Sequence, residues 1–214
     1  MLVITGTLFF FHHRGHGGHG VLLIKQKKLY VLCALCGEFP YLCSVMEKFE
    51  LHILGCGSAL PTTRHFATSQ VVNVRDKLYM IDCGEGSQLQ FRKSRLKFSR
   101  LNHIFISHLH GDHCFGLLGL ISTLNLLGRT AELHIHSPKG LETLLAPMLS
   151  FFCRQMTYKV LFHEFETKEP GMIYEDRSLT VTTIPLRHRM PCCGFLFAEK
   201  QRPNHIIREM VDFY

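Results

Sequence analysis

The 214-residue chain lacks several features that would place it in a membrane-bound or a secreted, disulfide-bonded class. No apolar run reaches the length of about 18 residues that a membrane-spanning helix needs. The first residues lack a positive segment followed by an apolar core and a small-residue cleavage site, so we expect no signal peptide. The 9 cysteines are odd in number and lack the regular spacing of a disulfide framework. This favours free thiols in a reducing compartment. We therefore expect a cytoplasmic protein with no membrane partner.

Acidic residues are outnumbered by basic ones, 17 against 24, which gives a formal net charge of +7. This excess is compatible with an anionic partner, but it also lies within ordinary variation. Hydrophobic residues make up 46% of the chain and charged residues 19%, which excludes a disordered or fibrous protein. The length fits one α/β domain with a sizeable core.

Residues 1–45 do not resemble the rest of the chain. Their apolar patches are interrupted by the low-complexity run His12–Gly20, which cannot pack as a helix or a strand. The pair Cys33 and Cys36 could be half of a zinc or redox site. We expect instead an extension of no evident fold, because sustained periodicity begins only near Met46. The folded domain is predicted to span residues 46–214.

Strand patterns and helix patterns alternate after Met46, which is typical of an α/β domain. Glycine-rich and charged turns separate them. The patterns predict strands at 48–54, 68–74, 78–81, 103–107, 131–137, 160–165, 179–185 and 194–199, and helices at 87–96, 116–127 and 139–152.

The segment Ser107–His113 concentrates metal-binding side chains in the order His-x-His-x-Asp-His. An unpaired buried imidazole or carboxylate costs several kcal/mol, so such a cluster is normally neutralised by an ion or left in water. An apolar run precedes the cluster and a helix pattern follows it. We therefore predict a metal site in a strand-to-helix turn. A histidine-rich surface loop is the alternative.

The spacing divides these donors into two groups. His108 and His110, two residues apart on an extended chain, point to one side and can bind one ion, whereas the turn at Gly111 directs Asp112 and His113 towards a second position. Two ions about 3.5–4 Å apart can clamp the attacking and leaving oxygens of a phosphodiester. His188 follows a strand end and could be the third protein donor of the first ion, although a single histidine there is normally a surface residue.

Two further histidines, His134 and His136, alternate on one face of a predicted strand. They could be ligands by residue type. No further donor clusters beside them in the sequence, so we expect a structural role.

The segment Phe91–Arg100 holds five positive charges and no negative one. Most charge runs are solvated helix faces, and that interpretation stays open here. The alternative is a patch that contacts phosphates or another subunit near the site.

Four segments, Leu54–Thr62, Asp82–Gln90, Ile106–His113 and His188–Phe195, resemble the metallo-β-lactamase superfamily and, within it, the ribonuclease Z family. The metal cluster alone marks the superfamily. The glycine turn that ends in Ala-Leu-Pro-Thr and the Asp-Cys-Gly-Glu-Gly block narrow the resemblance to ribonuclease Z, whose members remove the 3′ trailer from precursor tRNA. The implied fold is an α/β, metallo-β-lactamase-like four-layer α/β/β/α sandwich with the metals at one edge.

The resemblance also implies the roles of individual residues. His108, His110 and His188 would hold one zinc ion, and Asp112 and His113 the other. Asp112 would in addition accept the proton of the attacking water. Cleavage would leave a 3′ hydroxyl on the tRNA and a 5′ phosphate on the trailer. The implied partners are precursor tRNA and a second copy of the chain in a homodimer.

The family inserts a tRNA-binding arm after the strand that follows His188, and Lys200–His205 lies where this arm would begin. By resemblance, the Asp that bridges the two ions and the final His ligand lie beyond Tyr214. We therefore expect a C-terminally truncated domain, an incomplete sandwich and weak or absent activity. Two alternatives stay open: another ester hydrolase of the superfamily, and a non-catalytic RNA-binding chain.

Overall fold

The computed structural model describes residues 49–60, 62 and 65–200, together with the backbone of residues 2–5, 8–11, 24–25 and 28–29. The strands of this part are β1 Leu2–Thr5, β2 Leu8–Phe11, β3 Ile24–Lys25, β4 Lys28–Leu29, β5 Phe49–Gly55, β6 Ser69–Val74, β7 Lys77–Ile81, β8 Leu101–Phe105, β9 Leu133–Pro138, β10 Val160–Phe165, β11 Met172–Glu175, β12 Leu179–Leu186 and β13 Cys192–Glu199. The helices are α1 Ser87–Lys93, α2 Gly111–Cys114, α3 Leu117–Leu126 and α4 Leu141–Phe152. None of these helices has the length and apolarity needed to cross a membrane.

The strands form two sheets. The larger sheet has the order β10-β9-β8-β7-β6-β5-β4-β3, and the smaller has the order β11-β12-β13-β1-β2. Strands β5, β6 and β7 pair antiparallel, whereas β7, β8, β9 and β10 pair parallel. The carboxyl ends of parallel strands meet at one edge of a sheet, so the loops after β7 and β8 are neighbours there.

Two apolar cores lie on opposite faces of the larger sheet. Helices α1, α3 and α4 cover one face, through a cluster that includes Phe91, Ile121 and Leu145. The smaller sheet covers the other face, where Phe105 packs against Phe195 and Phe197. A strand buried on both faces needs apolar residues at successive positions, which explains the run Ile104–Ile106.

The predicted elements agree with the structure over most of residues 46–200. The charged turn between β6 and β7 has positive φ at both central residues, Arg75 (51°) and Asp76 (65°), as a two-residue hairpin turn requires. Strand β11 was not predicted, because its sequence Met-Ile-Tyr-Glu lacks the alternation of apolar and polar residues that marks a strand. Its burial in the structure does not alternate either.

The predicted domain boundary near residue 46 stays a prediction. Most of the segment before it lies outside the described residues, including the His12–Gly20 run and the pair Cys33 and Cys36. The described strands before the boundary lie in the sheets: β1 pairs antiparallel with β13, and β4 pairs with β5 at Leu29 and Leu51.

Four histidines lie together on the inner face of the larger sheet. They are His103 on β8, His134 and His136 on β9, and His163 on β10. His103 Nδ1 is 3.3 Å from His136 Nε2, and His134 Nδ1 is 2.9 Å from His163 Nε2. His103 and His163 thus lie beside His134 and His136 although they are distant from them in sequence, because they come from other strands. The expected structural role of His134 and His136 stays a prediction. Each hydrogen-bonded pair needs at least one unprotonated ring nitrogen.

Protonation of this histidine cluster is disfavoured by its surroundings. Burial, and then the neighbouring His103, lower the pKa of His136 to about 3. Burial and the neighbouring His134 lower the pKa of His103 to about 3 as well, although Asp176 opposes this shift. The pKa values of His103 and His136 are thus lower in the folded chain than the usual 6.5.

We predict that acid destabilises the fold through this cluster. The unfolded chain binds more protons than the folded chain between pH 6.5 and pH 3, so stability falls as the pH drops below about 6.5. For His136 the loss amounts to about 2 kcal/mol at pH 5. In urea titrations at pH 7.5 and pH 5, His136→Gln should lose less stability on acidification than the parent. The exposed control His65→Gln should behave like the parent. An unchanged pH dependence in His136→Gln would contradict the prediction.

Candidate metal centre

Three histidine side chains converge at the edge of the larger sheet. His108 and His110 follow β8, and His188 follows β12. His108 Nε2 is 3.0 Å from His110 Nδ1, which is 3.2 Å from His188 Nε2. One nitrogen from each ring lies within 4.8 Å of the others. Nitrogens 2.0–2.1 Å from a common zinc ion are separated by roughly 3.3 Å, so the separations of His108 and His188 from His110 match those between ligands of a tetrahedral ion.

The His108 ring is suited to bind metal in its neutral form. Burial, and then the nearby His113, lower the pKa of His108 to about 4, so the ring is unprotonated at neutral pH. The thiol of Cys192 lies 3.7 Å from His108 Nδ1. Burial and the charge of Asp82 raise the pKa of this thiol to about 11, which leaves it a poor ligand compared with the imidazoles.

Asp82, at the end of β7, links the ligand-bearing segments. Its Oδ1 accepts a hydrogen bond from the Ser107 backbone N–H at 2.8 Å, and its Oδ2 accepts one from Ser107 Oγ at 2.9 Å. His113 Nδ1 lies 2.7 Å from the same Oδ2. Ser107 Oγ is in turn 3.0 Å from His108 Nδ1. These contacts assign the N–H of His108 and His113 to Nδ1 and leave Nε2 of each ring for an ion.

Asp112 and His113 lie on the single turn of α2. His113 Nε2 is 3.5 Å from Asp112 Oδ2, so the two donors face each other. Burial lowers the pKa of His113, but the hydrogen bond from the ring to Asp82 and the negative charge of Asp82 raise it by more, and the net pKa lies above its ordinary value. An ion bound at Nε2 would therefore have to displace a proton, which makes binding at this position weaker in acid.

Close backbone packing holds the loop after β7 against the metal-binding turn. The Cys83 backbone N–H donates a hydrogen bond to the His113 carbonyl at 2.7 Å. A Cβ atom at Gly84 would lie 2.3 Å from the Asp112 carbonyl oxygen, and a Cβ at Gly116 would lie 2.1 Å from the Gly84 carbonyl oxygen. Only glycine fits at these two positions without moving the turn.

The structure brings together the five residues that we predicted as ligands, but in two groups: His108, His110 and His188 in one, and Asp112 and His113 in the other. Sequence reasoning missed the part played by Asp82 and Ser107. The signal available for Asp82 was its position at a strand end before a glycine-rich turn. Residues 201–214, with His205 and Asp212, lie outside the described residues.

The two packed sheets, the helices on the larger sheet and the histidine centre at its edge define a metallo-β-lactamase-fold protein. Solved structures agree. The chain matches human tRNase Z, short form, with a TM-score of 0.65 and 30% identity over 71% of this chain and 66% of that one. It also matches YhfI from Bacillus subtilis, a metallo-beta-lactamase fold protein, with a TM-score of 0.55 and 16% identity over 69% of this chain and 58% of that one. The predicted fold class is confirmed.

The family model described as Anti-Pycsar protein Apyc1 matches residues 49–204, and the chain belongs to this family. It is 85% identical over 169 residues to Ribonuclease Z of Bacteroides thetaiotaomicron, across 79% of this chain and 54% of that protein. It is 72% identical over 169 residues to Ribonuclease Z of Phocaeicola vulgatus, across 79% of this chain and 55% of that protein. The resemblance to ribonuclease Z is therefore confirmed, and the chain spans about half the length of these relatives.

We predict that Asp82→Asn weakens metal binding at both groups of ligands. An amide has only one acceptor oxygen, so it cannot accept all the hydrogen bonds that Ser107 and His113 direct at the carboxylate. Loss of such an outer partner costs about 10- to 100-fold in metal affinity. Zinc titration by calorimetry measures this change.

The matched control for this variant is Asp76→Asn. Asp76 also has positive φ, but it lies on the β6–β7 turn, paired with Arg100 at 2.7 Å. It should leave the zinc affinity unchanged. Equal affinities for Asp82→Asn and Asp76→Asn would show that the Asp82 network does not support the ligands.

Proposed function

We propose that the protein is a zinc-dependent endoribonuclease that removes the 3′ trailer from precursor tRNA. Its relatives named Ribonuclease Z are up to 85% identical to it. The observation that carries the proposal is the convergence of His108, His110 and His188 within 4.8 Å, beside the facing pair Asp112 and His113. This donor set suits a metal-assisted phosphodiester hydrolase.

Zinc fits these donors, because neutral imidazole and carboxylate are its usual ligands alongside thiolate. His108, His110 and His188 would hold one ion, and Asp112 and His113 a second. Bound zinc supplies Lewis-acid polarisation and a hydroxide nucleophile at neutral pH. The second position has two assigned donors against three at the first, so we propose that it binds zinc more weakly and limits the turnover of this chain.

Two carboxylates of the protein have distinct roles in the reaction: one accepts the proton of the attacking water, and the other positions the histidine ligands. The Asp112 carboxylate, 15% exposed, lies beside His113 and can accept a proton from the attacking water. Asp82 accepts hydrogen bonds from Ser107 and His113, and Ser107 in turn contacts His108. The rings of His108 and His113 therefore do not have to reorganise during the reaction. The water oxygen bonds to phosphorus as the bond from phosphorus to the tRNA 3′ oxygen breaks, and that oxygen takes up a proton. The products are a 3′ hydroxyl on the tRNA and a 5′ phosphate on the trailer.

The proposal includes a cytoplasmic homodimer. All 6 cysteines among the described side chains are free, which suits a reducing compartment. Helix α4 exposes Leu144, Met148 and Phe151 on one face at helical spacing, with exposed fractions of 62%, 45% and 64%. An exposed apolar stripe of this kind is typical of a surface that contacts another protein.

Another ester hydrolase of the metallo-β-lactamase fold is the second candidate. The observation that favours it is the family model, which is named for a protein other than a ribonuclease Z. A direct comparison decides between the two functions. The zinc-loaded protein should cut a 3′-extended precursor tRNA at one position, mapped on a sequencing gel, faster than it hydrolyses bis(p-nitrophenyl) phosphate. Hydrolysis of the small diester without any cut in the tRNA would support the second candidate.

We predict that the double variant His108→Ala with His110→Ala loses zinc. Removal of two of the three nitrogens leaves the first position without a chelating set. Elemental analysis after dialysis should show less bound zinc per chain than in the parent. The control is His134→Ala with His163→Ala, which removes a hydrogen-bonded histidine pair from the sheet face and should keep the parental zinc content. Equal zinc in both double variants would contradict the assignment.

We predict that the basic segment at the end of α1, residues 92–97, contacts phosphates without reading sequence. Arg92, Lys93, Arg95 and Lys97 are exposed, whereas Arg100 pairs with Asp76. Removal of one phosphate contact should weaken binding to any tRNA equally and lower the salt slope by roughly one. Anisotropy titrations of the four single Ala variants, from 50 to 200 mM salt, measure this slope.

The control for the basic segment is the variant Lys159→Ala with Arg177→Ala, which removes two exposed cations from other parts of the surface. It should keep the parental salt slope. If all the variants share one slope, the segment is a solvated helix face.

A further inference from the structure

A cleft of about 170 Å³ is lined in part by the two loops that carry the histidine ligands. Its apolar wall is formed by Leu109, Pro138, Phe165, Met190 and Pro191. These residues come from the metal-binding turn, the ends of β9 and β10, and the loop after β12. A cavity of about 150 Å³ with apolar walls can hold a benzene ring. The cleft is therefore large enough for one six-membered aromatic ring.

The cleft shares its wall with the ligand-bearing segments. Leu109 lies between the ligands His108 and His110, and consecutive Cα atoms are about 3.8 Å apart. Met190 is two residues after His188, within about 7 Å along the chain. The cleft is therefore bounded by the same two loops that carry the histidine ligands, the loop after β8 and the loop after β12.

Three charged side chains line the cleft, and cations outnumber the carboxylate. Lys139, Lys168 and Glu166 are all exposed. Lys139 pairs with Glu166, whereas Lys168 forms no ion pair with the described side chains. An apolar wall with exposed cations beside it suits a nucleotide, since the base can leave water while its phosphates stay near positive charge.

We propose that this cleft is a binding subsite for the base of a nucleotide that flanks the scissile phosphate. This inference rests on the proposed function, because it requires a single-stranded RNA segment at the metal centre. Single-stranded bases can be splayed out and packed against protein side chains, whereas bases in a duplex cannot. The flat base would lie between Phe165 on one side and Met190 and Pro191 on the other, and the cleft would thereby hold the phosphodiester in register with the histidine ligands.

Abasic substitution tests the proposal in the parent protein. The probe is an acceptor-stem hairpin RNA with a 3′ extension, made with one abasic site on the 5′ side of the scissile phosphate, on the 3′ side, or four nucleotides into the extension. Packing of one base is worth about tenfold in affinity. One of the two flanking abasic sites should weaken binding about tenfold, whereas the distal one should leave it unchanged. Equal affinity for all the RNAs would overturn the proposal.

A variant pair assigns the effect to the cleft. Met190→Ala should bind the intact RNA more weakly than the parent does. It should also bind the intact RNA and the RNA with the flanking abasic site with equal affinity. The control Met172→Ala, at a methionine that is 60% exposed on β11, should keep the parental pattern. If a flanking abasic site weakens binding to Met190→Ala as much as it weakens binding to the parent, the base does not bind in the cleft and the proposal is overturned. Failure of the parent to prefer the intact hairpin over an unrelated RNA would overturn the proposed function, whereas preference without any abasic effect would overturn only the cleft.

Discussion

The hydrogen bonds of one buried carboxylate, Asp82, hold the metal centre together. Asp82 is 1% exposed and stands where β7 ends, next to the loop that carries the ligands. Both of its oxygens accept hydrogen bonds, from Ser107 and from the His113 ring. A buried carboxylate is costly unless it is fully hydrogen-bonded, so the same contacts that satisfy Asp82 also fix the rings. The stability of the turn and the geometry of the ligands are therefore coupled.

The surroundings of the histidine ligands favour binding of a metal ion over binding of a proton. They also favour imidazole over thiolate as the ligand. Burial keeps His108 neutral at physiological pH and keeps the Cys192 thiol protonated. The glycines at 84 and 116 let two backbone segments approach closely enough to place Asp112 and His113 beside the three histidine ligands. These features depend on the fold. They give the histidines a protonation state and a placement that the same residues would lack in a solvated loop.

The contiguous part of the site could be predicted from the sequence, because His108, His110, Asp112 and His113 lie within six positions and the flanking patterns place them on a strand-to-helix turn. Asp82 could not be assigned in this way, because its contacts arise from the parallel pairing of β7 with β8. The contacts of His134 and His136 with His103 and His163 were missed for the same reason, since these rings come from three different strands. Strand β11 lacks alternation, and only its pairing with β12 defines it.

The central claim is that three imidazoles, and no thiol, bind zinc at the sheet edge. X-ray absorption at the zinc edge, on protein loaded with one equivalent of zinc, tests it most directly. The account predicts nitrogen or oxygen ligands only, at about 2.0–2.1 Å, with the multiple-scattering pattern of imidazole rings. A sulfur ligand at about 2.3 Å, such as Cys192 would supply, would contradict it.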